Sequence, residues 1–244
     1  AAQPVRGVML AHEVLDALAV ERVVWDGALW RLQAVELQDV ETPQPSLRLV
    51  PGEPLAAEGL EQLASLGLRE PGAQRGAGWC SELHTGLAGW LADAALALQS
   101  GHLLVVDYAH EAWRYYAPQR SNGTLMAYRQ QQASSDPLLD PGHWDITAHL
   151  CLESLDAAAA AAGWQSLGQR RQGEALLALG LAQRLHGLQD QPAADLTALL
   201  ARREALLRLV DPSALGDFRW VAFARTQQNA AGETALFLQD PPLG

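Results

Sequence analysis

Lysine is absent: all 17 basic residues of the 244 are arginine. That excludes Schiff-base chemistry within this polypeptide, and with it the lysines that grip phosphate in P-loops and kinases. Cysteine is scarce as well. Cys80 and Cys151 lie far apart and fit no paired-cysteine pattern, and the seven histidines show neither HExxH nor Cys/His spacing, so no metal site is expected. No signal peptide and no apolar run of membrane-spanning length is visible, so a reducing cytoplasm and no membrane insertion are expected. Positive charge is in the minority. With 28 acids, dispersed along the chain, the net charge is -11, which argues against nucleic acid as a partner.

What is present is apolar: 49% of residues are hydrophobic, enough for one large core or two small ones. We take residues 1–244 as a single α/β domain. Residues 5–11 predict a buried strand. Asp26-Gly27, between two β-rich segments, predicts a hairpin, and 46–50 adds a third strand, so that 20–50 reads as a β insertion. A short helix is expected over 56–66 and a longer one over 81–98, ended by Gly101. The run "LLVVDYAHE" at 103–111 predicts a strand buried on both faces. Residues 109–144 read as a long polar loop or lid. A helix over 151–163 closed by Gly163, a strand at 164–169, helices over 173–187 and 193–210, and late strands at 218–225 and 235–238 complete the pattern. Trp25 and Trp30 flank the hairpin turn and would mark a partner-facing patch if exposed.

This order suggests a parallel sheet, whose ligands bind beyond the carboxyl ends of its strands. Asp107 and Tyr108 would then face a ligand, as would His12 and Glu13 after the earlier strand. Spacing alone leaves Asp107 equally readable as a carboxylate that stabilises a turn. Glu13 is likewise readable as a solvated acid at a helix start. Asp16 shares its face if 13–18 is helical. On sequence alone, Asp145 and Thr147 read first as caps of a following helix, and His149 as a core histidine.

"AHEVLDALAVERV", "LLVVDYAHE", "GTLMAYRQQQ", "DPLLDPGHWDITAHL" and "RRQGEALLALGL", in this order over about residues 5–225, resemble the second half of the MidA-type family of S-adenosylmethionine (SAM)-dependent methyltransferases. That family includes assembly factors of respiratory complex I that methylate a protein arginine. The chain departs from the family's usual residues at His12, Ala19, Ala109, Gln131 and Cys151. It also has no counterpart of the glycine-rich turn that holds SAM, and "GAQRGAG" at 72–78 follows no predicted strand.

The resemblance implies the later half of a Rossmann-like class I methyltransferase sheet with a hairpin insertion and added helices. It implies a fragment that binds SAM weakly or not at all by itself. It implies a protein substrate, and a respiratory complex subunit is one candidate. It assigns Glu13 and Asp16 to catalysis, and His12, Asp107 and Tyr108 to the cofactor. Tyr128, Arg129, Asp145, Thr147 and His149 go to the substrate. The alternative is a protein-binding assembly module that has lost catalysis.

Overall fold

The computed structural model describes residues 4–41, 45–188, 196–225 and 235–241. In chain order the strands are β1 (Val5–His12), β2 (Glu21–Trp25), β3 (Trp30–Gln38), β4 (Ser46–Pro54), β5 (Cys80–Leu83), β6 (Leu98–Asp107), β7 (Ala109–His110), β8 (Met126–Arg129), β9 (Gln132–Ser134), β10 (Asp145–Thr147), β11 (Leu150–Cys151), β12 (Gln165–Arg171) and β13 (Arg219–Arg225). The helices are α1 (Ala57–Ser65), α2 (Gly86–Ala97), α3 (Ala112–Tyr115), α4 (Leu152–Ala161), α5 (Gln172–Ala178), α6 (Leu181–Gly187) and α7 (Leu196–Arg208). The first residues of the helix expected from 193 lie outside the described residues. The chain divides into two compact units: residues 1–15, 90–109 and 158–244, and residues 16–89 and 110–157.

The first unit is built on a four-stranded sheet in the order β1-β6-β13-β12. β1 and β6 run parallel, while β13 is antiparallel to both β6 and β12. The sheet is therefore mixed rather than parallel throughout. β6 is its centre, with Leu103, Val105 and Val106 buried, as its continuous apolar run predicts.

β1 differs from its expectation. It is an edge strand among the described residues, with Val5, Val8 and Leu10 59%, 72% and 63% exposed. Gly101 does not end a helix but lies inside β6 at φ +136°, opposite Gly7 of β1. A Cβ there would meet the Gly7 carbonyl oxygen, so only glycine permits this approach of the two backbones. The segment 235–238, expected as a strand, forms one turn of 3₁₀ helix, and its Phe237 packs against Ala175 and Ala222.

The second unit holds a four-stranded antiparallel sheet, β4-β3-β2-β5. The Asp26-Gly27 hairpin forms as expected, with the Asp26 carboxylate accepting the Ala28 and Leu29 N–H groups and Gly27 at φ +102°. β5 occupies what was expected to be the start of a helix. Its four residues are all buried, so cross-strand pairing with β2 outweighs local helical spacing. Trp30 is buried against Trp25 and Trp79, and with Leu63, Leu83, Tyr115 and Tyr116 it belongs to this unit's core rather than to a surface patch. The expected loop of 109–144 is in fact structured. It contains β7, α3 and the antiparallel ladder β9-β8, which β10 joins on the other side.

Candidate functional site

In the first unit, the carboxyl end of β1 turns sharply. Glu13 has φ +50°, a left-handed conformation that costs a non-glycine residue on the order of 1–3 kcal/mol and tends to occur at functional sites. Two bonds hold the turn against β6. The Glu13 N–H donates to the Val106 carbonyl at 3.0 Å, and the Leu15 N–H donates to Asp107 Oδ2 at 3.1 Å. Asp107 Oδ1 accepts the Tyr108 N–H at 2.8 Å. The acid at the end of "LLVVD" is buried, and both its oxygens serve the backbone, the turn-stabilising alternative that spacing had left open. Its carboxylate ties the turn after β1 to the end of β6.

The side chains that do face outward here are those of His12, Glu13 and Tyr108. His12 Nε2 lies 3.6 Å from Glu13 Oε1, and both side chains are about half exposed. The rings of His12 and Tyr108 pack on Phe218, with centroids 6.1 and 4.1 Å away. Phe218 immediately precedes β13, whose first residue, Arg219, is in register with Asp107. The antiparallel strand thus delivers an aromatic floor to the carboxyl ends of the parallel pair. Sequence reasoning missed it, because its relevance arises from a pairing across more than a hundred residues.

Residues 13–18 form bends and turns and no helix, so the face that Asp16 was to share by helical spacing does not exist. Asp16 is buried, and its carbonyl accepts the Ala148 N–H at 2.9 Å. Asp145 and Thr147 lie in β10 and cap no helix: Asp145 is directly opposite Tyr128, and Thr147 opposite Met126. The exposed Tyr128 and Asp145 are therefore brought together. Arg129 is engaged by Asp140, 2.6 Å away.

His149 follows this ladder and is held at two points. Its N–H donates to Thr124 Oγ1 at 3.1 Å, and its Nδ1 lies 3.1 Å from Nε2 of the buried His110. Arg120 Nη2 donates to that same Nε2 at 3.0 Å. Burial, then the neighbouring His149 and the Arg120 and Arg114 charges, hold the His110 pKa down to about 3.

Thr124 is anchored in turn by the fully buried Glu82, whose Oε2 accepts the Thr124 N–H at 3.0 Å and the Tyr115 hydroxyl at 3.0 Å. Gly123 is needed there, since at φ +71° a Cβ would overlap the Glu82 carboxylate.

Residues 1–170 match the model of the family described as "Putative S-adenosyl-L-methionine-dependent methyltransferase". The chain belongs to that family. A crystal structure of a COG1565 superfamily member from Burkholderia thailandensis bound to S-adenosyl-homocysteine matches 99% of this chain at 26% identity with a TM-score of 0.82. A native crystal structure of a COG1565 superfamily protein from the same organism matches 99% at 26% identity with a TM-score of 0.80. The chain spans 58% and 60% of those two proteins. No curated protein matches it.

Against this family background, the sequence reading also missed Glu82, Thr124, His110 and Arg120. "AHE" and "GTLM" were noted as strings, yet nothing in their spacing tied them to an acid forty residues earlier. Among the described residues no cluster of three or more His, Cys, Asp or Glu could hold a metal. No helix among them is long and apolar enough to cross a membrane.

Proposed function

We propose that this chain is the acceptor side of a SAM-dependent methyltransferase of the MidA type, acting on an arginine of a protein substrate. The observation that carries the reading is Glu13: a half-exposed carboxylate on a strained turn at the carboxyl end of a parallel strand, held there by Val106 and Asp107. A carboxylate grips a planar guanidinium through charge-assisted hydrogen bonds, and pinning its backbone reduces the entropy lost on binding. The His12 and Tyr108 rings, backed by Phe218, offer flat surface beside it. Methyl transfer demands mainly that the nucleophile be oriented and stripped of water, which such a wall can do.

For the donor, the residues present do not suffice. A sulfonium nucleoside needs a glycine-rich turn after a strand, and the one glycine-rich stretch, 72–78, serves another purpose. Its Arg75 donates to the Tyr116 and Pro71 carbonyls and stacks on Trp79, fastening that loop to α3. The free edge of β1, with Val5, Val8 and Leu10 exposed, supports a sheet that continues beyond this strand. The donor cradle belongs on that continuation, outside this sequence, and the Rossmann-like sheet would be completed by it.

The test has two arms. Calorimetric titration of this chain with SAM is expected to detect no submillimolar binding, and such binding would overturn the division of labour. In the protein that carries the donor-binding strands, Glu13→Gln removes charge while preserving shape. It should lower kcat/KM for an arginine-bearing protein about ten- to a hundredfold while SAM affinity holds. Equal acceptor kinetics in the two proteins would refute the role of Glu13 and favour a binding module.

A further inference from the structure

A cleft of about 390 Å³ opens on the second unit between the end of α1, the loop carrying Arg75, α3 and the first turn of α4. Every residue that lines it belongs to that unit. Leu66, Leu68 and Ala112 give it apolar walls, and Trp113 lines it while remaining 75% exposed. No other large hydrophobic residue among those described is as exposed, and an indole left in water beside a cleft marks a surface meant to be covered.

Two opposite charges, Arg75 and Glu153, line the same cleft, and neither forms an ion pair among the described residues, with the other or with any third group. Both are held in place. Arg75 Nε and Nη2 donate to the Tyr116 carbonyl at 3.0 and 2.7 Å, and Nη1 donates to the Pro71 carbonyl at 2.8 Å. The guanidinium carbon lies 5.4 Å from the centre of the Trp79 ring. A guanidinium has five N–H donors, so one remains on each terminal nitrogen, and a carboxylate can accept both. Glu153 Oε2 accepts the Ala112 N–H at 2.7 Å, and Oε1 has no partner among the described residues.

The complement of this surface carries a carboxylate for Arg75 and a planar cation for Glu153 and the face of Trp113. A phosphate, with its greater negative charge, would be repelled by Glu153 in the same cleft. A free small molecule is held by enclosure, and small-molecule sites bury most of their ligand's surface. With Trp113 and Glu153 both exposed, this cleft instead suits a length of chain lying across it.

We propose that the cleft docks a segment of a partner protein in which an acidic residue and an arginine stand close in sequence, the acid on Arg75 and the guanidinium between Glu153 and Trp113. Binding here involves the second unit alone, and it stands or falls separately from the methyltransferase reading.

The test needs no reaction. ¹H–¹⁵N correlation spectra of this chain, with the Trp113 indole N–H identified by its loss in Trp113→Ala, read the binding of blocked alanine-based peptides. In these one glutamate and one arginine stand one, two or three residues apart. At least one spacing should shift the Trp113 signal saturably with a Kd on the order of 1 mM or below. Changing the peptide's glutamate to glutamine should weaken binding about tenfold, as should Arg75→Gln, and the two changes together should cost no more than either alone. Glu153→Gln, which can still accept the Ala112 N–H, and Trp113→Ala, at an exposed position, should each weaken binding about threefold and leave the fold intact. If Arg75→Gln fails to fold, these two variants decide the matter.

The proposal is overturned if no spacing gives a saturable shift up to about 10 mM peptide. It is overturned equally if binding is indifferent to Glu153→Gln and Trp113→Ala, or to removal of either peptide charge. Free arginine binding as tightly as the best peptide would assign the cleft to a small molecule instead of a protein segment.

Discussion

Replacing Asp107 by asparagine tests how far its carboxylate holds the turn after β1. The side chain keeps its size, so no cavity forms. The structure engages both carboxylate oxygens with backbone N–H groups, Leu15 at 3.1 Å and Tyr108 at 2.8 Å. Asparagine has one acceptor oxygen, and in either orientation its amide must face the remaining N–H. One hydrogen bond to a charged acceptor is lost at a buried site, worth about 1.5–3 kcal/mol. For a chain of this size each kcal/mol moves the midpoint by about 2–4 °C, so thermal unfolding by circular dichroism should show a fall of about 3–12 °C. Glu13→Gln, which removes a half-exposed charge next to the same turn, is the control and should stay within about 1 °C. An Asp107→Asn midpoint equal to that of the control would refute the argument.

Gly101→Ala should be more damaging, since the new Cβ collides with the Gly7 carbonyl at a φ of +136°; a loss on the order of 3 kcal/mol or more is expected in denaturant unfolding, and a near-neutral result would contradict the close approach of β1 to β6. Acid should weaken the second unit. Burial lowers the His84 pKa to about 4 and, with its charged neighbours, that of His110 to about 3, against about 6.5 when unfolded, so the unfolded chain binds more protons below pH 6.5. The stability these neutral rings contribute is complete above pH 6.5 and is lost as pH falls toward 4 and then 3, about 2 kcal/mol for each histidine between pH 6.5 and 5. His84→Gln, whose carbonyl can still accept the Cys151 N–H, should flatten a plot of midpoint against pH, and an unchanged slope would speak against a neutral buried His84.

Local signals read well where one residue's own chemistry decides the backbone. Asp26-Gly27 forms its hairpin, Gly163 closes α4 at φ +81°, and the valine-rich run of β6 is buried. Signals failed where a distant partner outweighs local spacing. Ser81–Leu83 has helical periodicity yet pairs with β2, and 109–144 looks like loop because its apolar residues are few. Its order comes from Glu82, a buried acid that holds Thr124 and Tyr115. The candidate site divides in the same way. His12, Glu13 and Tyr108 were legible as residues following strands, whereas Phe218, His110 and Arg120 acquire meaning only through pairing and side-chain contact.

The sequence by itself determined the family, the absence of lysine chemistry and the polar residues set after β1 and β6, because these depend on residue type and order along the chain. Tertiary structure decided what each polar group does. It engaged Asp107 with two backbone N–H groups, left Glu13 outward on a strained turn, and set the His149 ring against the buried His110, which Arg120 also contacts. The reason is that a hydrogen bond has direction and a reach of about 3 Å. Whether an acid or an imidazole is spent on structure or left for chemistry depends on which donors the folded backbone brings within that distance.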